Sequence, residues 1–197
     1  MKNNLICKIT DKKIYFYTAK NKKIIIENIK SKIIEKNTIV DIFAFIETLE
    51  KTIKKHKLNN LITKNKLYIL IYDFNTPTDI FLINYAFKTL NYYNFKLITE
   101  SKIYNELINN NTAIIDIWDN TGEISYLIDN QQINLPYNKD KLKDIPKTKI
   151  VIINNTNREL NIRIKNKEIY YLENNGISII DMFIKIIEKD PSNKLFG

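Results

Sequence analysis

Glycine is scarce in this chain, since only 3 of its 197 residues are glycine. Loops that cradle phosphate groups need glycine, because it adopts positive φ at no steric cost and lets the backbone come close to a ligand. The shortage of glycine therefore argues against an enzyme that binds a nucleotide in a glycine-rich loop.

Cysteine and histidine occur once each, as Cys7 and His56. One cysteine excludes a disulfide scaffold and a cysteine-ligated metal site, and its place in an apolar run predicts a buried core residue. One histidine gives little support to a histidine-ligated metal or to a Ser-His-Asp triad. We therefore predict no catalytic residue, no cofactor and no metal site.

Arginine is limited to Arg158 and Arg163, although Lys and Arg outnumber Asp and Glu by 31 to 22 and leave a net charge of +9. A surface that binds phosphate groups usually uses the bidentate fork of arginine. The lysine runs at 12–13, 20–23 and 51–57, with an excess of Ile, Asn and Tyr, are typical of an AT-rich coding sequence. We predict that these lysines form a solvated face, and nonspecific contact with tRNA phosphates is the alternative.

Long apolar runs are missing too. No stretch approaches the roughly 18 uninterrupted apolar residues of a membrane-spanning helix, and residues 1–20 lack the apolar core of a signal peptide. The chain is nevertheless 44% apolar with 4 prolines, which is enough to bury a core of its own. We therefore expect a cytoplasmic protein that makes no membrane contact.

The first half of the chain predicts a mixed α/β pattern. Three antiparallel strands are predicted at 4–10, 13–18 and 22–27, followed by a helix at 41–58 and a strand at 67–72. A second helix at 78–93, a strand at 97–98 and a short helix at 101–108 come next. Thr38 is placed as the N-cap of the first helix with Asp41 at N3, and Thr76, Pro77 and Asp79 open the second helix.

The second half repeats this order. Strands are predicted at 113–117, 123–128, 131–135, 149–153 and 168–172, and a final helix at 177–187. The polar stretch 137–148, interrupted by Pro146, is too short for a helix like the first one. Two such units predict an α/β protein with a duplicated ribonuclease-H-like fold, whose first lobe is 1–110 and whose second, reduced lobe is 111–197.

This duplication resembles the actin-like ATPase superfamily, which includes sugar kinases, heat-shock chaperone ATPases, MreB and FtsA. Members hold their nucleotide in glycine-rich turns, and the corresponding segments here are 9–13, 116–122 and 153–156. Lysines occupy the first turn, a tryptophan and acids replace the glycines of the second, and Asn-Asn stands where the third has Gly-Gly. The resemblance implies an actin-like fold whose nucleotide loops are lost, and a pseudo-enzyme rather than an active ATPase.

Several segments also resemble the TsaB subunits of that superfamily in order and spacing. Helix 41–58 leads into strand 67–72, the loop 73–78 stands where the family has a Gly-Pro-Gly-Ser-Phe-Thr-Gly turn, and 113–126 resembles its Ile-Asp-Ala-Arg-x-Gly-Glu-Val-Tyr hairpin. No glycine of the signature turn remains. The resemblance implies a non-catalytic partner of a TsaD-like enzyme in making threonylcarbamoyladenosine on tRNA, with tRNA contact at most indirect.

A second interpretation is a degenerate actin-like scaffold of the MreB, FtsA or pilus-assembly type. It rests on the stretch 97–100, Leu-Ile-Thr-Glu, which resembles a Leu-Ile-x-Glu-Pro segment of the superfamily. The short chain counts against it, because filament-forming members carry additional subdomains.

The helix at 78–93 carries the clearest interaction signal. One face, with Ile83, Ala86, Leu90 and Tyr93, is apolar enough to bind its own sheet, and the remaining residues are largely apolar as well. A helix that is apolar all round is normally buried on two sides. We predict a partner interface for a TsaD-like protein or a second copy, and coverage by the C-terminal lobe is the alternative. The predicted interface consists of Phe81, Tyr85 and Tyr92 of this helix and Phe43 of the helix at 41–58.

The acids near the second turn allow a third interpretation. Asp116, Asp119 and Glu123 could hold a divalent cation, as the carboxylates of ribonuclease-H-type nucleases do. Solvated acids at a hairpin tip are favoured, because Asp and Asn are common turn formers. Trp118 fits an interface anchor or the core about equally well.

Overall fold

The described residues include two five-stranded sheets with matching strand orders. The computed structural model describes residues 4–18, 23–100, 102, 112–118, 121–145, 149–154 and 169–171. The chain divides into a first unit of residues 1–71 and 75–98 and a second unit of residues 72–74 and 99–197. This division falls ahead of the predicted lobe boundary at 110/111.

The first unit begins with the predicted meander. Its elements in chain order are β1 (Leu5–Ile9), β2 (Lys13–Thr18), β3 (Lys23–Asn28), β4 (Ile34–Glu35), β5 (Thr38–Ile39), α1 (Ile42–Lys55), α2 (Asn59–Lys64), β6 (Leu67–Ile71), α3 (Pro77–Thr89) and β7 (Phe95–Thr99). The sheet order is β3-β2-β1-β6-β7. β1 and β2 pair antiparallel, as do β2 and β3, whereas β1 and β6 pair parallel.

The core of the first unit lies on one face of this sheet. Alternate residues of β1, such as Leu5 and Cys7, share that face with Phe45 of α1 and Phe87 of α3, and all four are at most 1% exposed. Fully burying a side chain of this size contributes about 1.5–3 kcal/mol. The prediction that Cys7 is a core residue is confirmed, and its burial raises the pKa of its thiol.

Helix α1 begins later than predicted. Its N-cap is Asp41, whose Oδ1 accepts a hydrogen bond from the Ala44 N–H at 2.9 Å. Thr38, the predicted N-cap, lies instead in β5, which pairs with β4 across a turn at Lys36 and Asn37. These two residues have positive φ, 50° and 65°, as tight hairpin turns require. Because the hairpin includes Thr38, the helix begins after it and Asp41 is its N-cap.

Helix α3 has the predicted start but an earlier end. Thr76 and Asp79 form a reciprocal capping box, and proline follows the cap. The helix stops at Thr89, because Asn91 takes φ 63° and the Tyr92 N–H donates to the Phe87 carbonyl oxygen at 3.0 Å. The predicted extension to Tyr93 is therefore wrong.

The second unit repeats the strand order of the first. Its elements are β8 (Thr112–Trp118), β9 (Thr121–Ile128), β10 (Gln131–Pro136), a 3₁₀ helix (Lys139–Asp144), β11 (Lys149–Asn154) and β12 (Ile169–Tyr171). Their order is β10-β9-β8-β11-β12, which corresponds element by element to the first sheet. The predicted duplicated α/β fold is confirmed.

The described residues of the second unit form a core of their own, and its first crossover is shorter than that of the first unit. Ala113, Ile115 and Ile124 pack with Leu142 and Ile145 from the short segment that follows β10. That segment holds a 3₁₀ helix where the first unit has α1 and α2, which agrees with a reduced second copy. The helices predicted at 101–108 and 177–187 lie outside the described residues.

Candidate functional site

Exposed aromatic side chains lie on α1 and α3, two helices that pack against each other. Phe43 is 77% exposed, Phe81 63% and Tyr85 44%. Phe81 and Tyr85 are one helical turn apart, and their rings stack with centroids 6.2 Å apart at an interplanar angle of 22°. We call these three residues the aromatic face.

The opposite side of α3 packs on the core of the first unit. Ile83, Ala86 and Phe87 are buried, and Leu82 is partly buried against the same core. Of the face that the sequence assigns to the sheet, Ile83 and Ala86 are buried and Leu90 is partly buried, but Tyr93 is 68% exposed, so its assignment is wrong. Helix α3 therefore has one apolar side in the core and a second, with Phe81 and Tyr85, at the surface.

Tyr92, the fourth predicted interface residue, has a different environment. It follows α3 and is partly buried against the first unit's core, and its hydroxyl donates a hydrogen bond to Asn59 Oδ1. Burial, with a smaller contribution from the charge of Glu50, raises the pKa of Tyr92. We therefore keep Tyr92 outside the aromatic face.

The first of the three turns that correspond to nucleotide loops is closed by its own side chains. The Thr10 hydroxyl oxygen accepts hydrogen bonds from the Lys12 N–H at 3.4 Å and the Lys13 N–H at 3.1 Å. Asp11 Oδ1 accepts the Asn37 N–H at 2.5 Å. The backbone donors of Lys12 and Lys13, which a phosphate would need, are thus already bonded within the turn.

At the second turn, two acids lie opposite each other within the sheet. Asp116 of β8 pairs with Glu123 of β9, and both residues are 0% exposed. The Glu123 carboxylate accepts the Asp73 N–H at 3.1 Å, and the Ser125 hydroxyl lies 3.3 Å from it. Ser125 also lies 2.8 Å from Asn134 Oδ1, to which the Gln132 side-chain amide donates at 2.8 Å.

This buried arrangement corrects the favoured prediction of solvated hairpin-tip acids for Asp116 and Glu123. The strands extend to Trp118 and from Thr121, so both acids lie inside the ladder and not at its tip. Asp119 lies outside the described residues. Within the ranges that the structure describes, no three His, Cys, Asp or Glu residues are grouped to hold a metal ion. Asp116 and Glu123 lie side by side in a buried polar cluster within the second unit.

Sequence reasoning missed two features of these regions. The role of Asp73, whose backbone N–H binds Glu123, has no sequence signal, because it depends on a contact between segments 50 residues apart. The exposure of one face of β3 did have a sequence signal, because three consecutive isoleucines, 24–26, cannot all face the same side of a strand. At the third turn, β11 ends at Asn154, and the residues after it lie outside the described part.

Comparisons by sequence found no relative, because neither a known family model nor a curated protein matches the chain. None of the helices among the described residues has the length and hydropathy needed to cross a lipid bilayer.

Solved structures do match in fold. The ethanolamine utilization protein EutJ from Carboxydothermus hydrogenoformans aligns with a TM-score of 0.59 and 10% identity, covering 98% of this chain and 89% of EutJ. MreB5 of Spiroplasma citri aligns with a TM-score of 0.50 and 11% identity when bound to AMPPNP, and 0.51 and 10% when bound to ADP. The alignments cover 73% of this chain but 55% and 56% of MreB5. At these identities the likeness is one of fold, and the chain has the actin-like ATPase fold.

Proposed function

We propose that this chain is a non-catalytic subunit that binds and holds a TsaD-like enzyme, which makes threonylcarbamoyladenosine on tRNA, through the aromatic face. The observation that supports this is the stacked, exposed pair Phe81 and Tyr85 on a helix whose other side is in the core. Soluble proteins rarely leave such surface uncovered, and aromatic side chains are enriched at the centres of protein interfaces. The choice of partner rests on the order of elements shared with the TsaB subunits.

The exposed lysines of α1 support a role that involves tRNA only indirectly. Lys51 and Lys54 pair with Glu47 and Glu50 one turn earlier in the same helix. Lys55 pairs with Glu27 at 2.6 Å. Because each of these lysines already has a carboxylate beside it, the run 51–57 contributes a mixed-charge surface and not a uniformly positive one.

A scaffold of the MreB type is the second candidate, and the fold likeness to MreB5 favours it. The chain spans little more than half of MreB5, whereas it spans 89% of EutJ. A scaffold of this kind would polymerise as the pure protein, so sedimentation of the purified chain as polymers would favour it over the partner-binding role.

Copurification of the chain with a TsaD-like protein from the same organism tests the proposal. We expect the wild type to form a heterodimer and Phe81→Ala/Tyr85→Ala to lose it. Truncating a central aromatic anchor costs about 2 kcal/mol or more, which is roughly a thirtyfold loss of affinity. The thermal midpoint of the isolated double variant should change little, because both side chains are exposed.

Phe87→Ala is the matched control on the same helix, since Phe87 is 0% exposed. It should lower the stability of the chain by about 3–5 kcal/mol. If the Phe81→Ala/Tyr85→Ala variant unfolds as Phe87→Ala does, the two residues belong to the core and the proposed interface is wrong. If it stays folded and still binds the TsaD-like protein, the partner docks elsewhere.

A further inference from the structure

Among the described residues, strand β3 is the edge of the first sheet, and one of its faces is exposed and apolar. Ile24 and Ile26 are 49% and 51% exposed, while Ile25 between them is 6% exposed and packs in the core. Natural edge strands are usually protected by proline, bulges or inward charges. The strand Lys23–Asn28 contains neither proline nor glycine and pairs continuously with β2.

The outer backbone groups of β3 are set by its pairing with β2. The Ile29 N–H donates to the Lys12 carbonyl oxygen at 2.6 Å, immediately beyond the pair of Lys13 with Asn28. Because hydrogen-bonded positions alternate along an antiparallel strand, residues 23, 25 and 27 turn their backbone groups toward β2. The N–H and C=O groups of Ile24, Ile26 and Asn28 therefore point out of the sheet.

We propose that β3 pairs antiparallel with β3 of a second copy of the chain, about a two-fold axis at Ile25. The first sheet of one copy then continues into the first sheet of the other. In this register Ile24 lies opposite Ile26 of the second copy, and the outward backbone groups of the two residues meet. The four exposed isoleucines then cover one another on one face, as cross-strand apolar pairs do.

The charges of β3 select this register. Lys23 lies opposite Glu27 of the second copy, whose carboxylate also contacts Lys55 and His56 of its own chain. The reciprocal pair forms on the other side of the axis. Shifting the register by two residues places Lys23 opposite Ile25 or Ile29 and loses both ion pairs. A shift by one residue brings the apolar and the helix-covered faces together, which the alternation of side chains forbids. The edge is thus complementary to itself in one register.

This pairing is independent of the proposed partner function, because it uses β3 and not the aromatic face. Sedimentation of the full chain should show a concentration-dependent dimer. Ile24→Lys/Ile26→Lys places like charges opposite each other and should raise the concentration for half-dimerisation at least about tenfold. Ile128→Lys, at a residue that is 44% exposed in the second unit, is the matched control and should dimerise normally.

A mixed-disulfide experiment tests the register. An equal mixture of the Lys23→Cys and Glu27→Cys variants should cross-link on oxidation, whereas Lys23→Cys alone should not, because two copies of residue 23 lie far apart in this register. A chain that stays monomeric at all concentrations overturns the proposal. So does a dimer that survives Ile24→Lys/Ile26→Lys but is lost in Phe81→Ala/Tyr85→Ala, which would assign self-association to the aromatic face. A dimer in which Lys23→Cys alone cross-links has another register.

Discussion

The turns of this protein use asparagine, lysine and aspartate where glycine is the usual choice. Seven described residues other than glycine have positive φ: Lys32, Lys36, Asn37, Lys57, Asn91, Asp129 and Asn130. Asn and Asp tolerate this conformation because their short polar side chains bond locally, whereas other L-residues pay about 1–2 kcal/mol. The shortage of glycine therefore leaves the turns in place and makes several of them more strained.

Lys57 offers a direct test of that strain. It follows the C-cap of α1 at φ 56°, and the next residue, Leu58, donates its N–H to the Ile53 carbonyl oxygen at 2.9 Å. This is the position at which glycine is preferred after a helix. We expect Lys57→Gly to raise the free energy of unfolding by about 0.5–1 kcal/mol, measured by urea denaturation.

The control for this substitution is Lys88→Gly, which removes an equally exposed lysine from within α3. Because the backbone there is helical, glycine should destabilise the chain by about 0.5–1 kcal/mol. Equal destabilisation by both substitutions would show that the left-handed conformation of Lys57 carries no strain.

Gly122 is the one glycine among the described residues, and the hairpin requires glycine there because it has no room for a side chain. It lies opposite Ile117 in the hairpin of β8 and β9, where an added Cβ would come 2.3 Å from the Asp116 carbonyl oxygen and 3.0 Å from the Ile117 Cα. Both contacts are with backbone, which cannot move without opening the ladder. We expect Gly122→Ala to destabilise the second unit by about 1–3 kcal/mol, seen as a lower thermal midpoint. A variant with an unchanged midpoint would show that the hairpin can widen freely.

At the scale of elements, one carboxylate joins β3 to the end of α1. Glu27 Oε1 lies 2.6 Å from Lys55 Nζ and 2.6 Å from His56 Nε2. The hydrogen bonds from Lys55 and then His56 hold the pKa of Glu27 below its ordinary value. A lowered carboxylate pKa stabilises the fold above the unfolded-state pKa, about 4.3 for glutamate, and this contribution is lost as pH falls through the lower folded-state pKa.

We therefore expect Glu27→Gln to cost roughly 0.5–1 kcal/mol at pH 7, because the pair is partly exposed and screened. In urea titrations at stepped pH, the difference from wild type should shrink as pH falls below the unfolded-state pKa of about 4.3 and vanish below the lower folded-state pKa. Glu47→Gln is the control, since Glu47 also pairs with a lysine but lies fully at the surface of α1. A deficit of Glu27→Gln that persists unchanged to low pH would mean that packing, and not charge, explains its effect.

Most elements of the fold could be predicted from local sequence, and the contacts between elements could not. The capping box of Thr76 and Asp79 fixed the start of α3, because it depends on residues three apart. The predicted N-cap of α1, Thr38, was wrong, because Thr38 pairs with Glu35 in the hairpin of β4 and β5. The burial of Asp116 and Glu123 depends on where the β8–β9 ladder ends, which residue types at a turn do not reveal.

At the scale of the whole molecule, duplication explains the shared order of the strands, and reduction of the second copy explains the short first crossover in its described part. Each unit builds three antiparallel strands and then adds two further strands beside the first one. Of these added strands, β6 is parallel to β1, β11 to β8 and β12 to β11. The first unit covers its sheet with α1 and α3, both of which leave aromatic side chains exposed. The described part of the second unit offers a 3₁₀ helix at the corresponding crossover. The exposed aromatic side chains that we propose as a partner interface thus lie on the first copy.

The last prediction concerns nucleotide binding. The actin-like fold of this chain suggests it, but the hydrogen bonds within its turns disfavour it. In the first unit the N–H groups of Lys12 and Lys13 are bonded to Thr10, and Asp11 accepts the Asn37 N–H. In the second unit Asp116 is fully buried within its sheet. A phosphate chain would have to displace bonds within the first turn without glycine to let the backbone approach.

Isothermal titration of the purified chain with ATP and Mg²⁺ should therefore show no measurable binding. MreB5 of Spiroplasma citri, whose structures hold AMPPNP and ADP, is the positive control under the same buffer. Micromolar affinity of this chain for ATP would contradict the prediction. It would also make an active ATPase the better interpretation, because a pseudo-enzyme that acts only by holding a partner has no use for a nucleotide-dependent change of state.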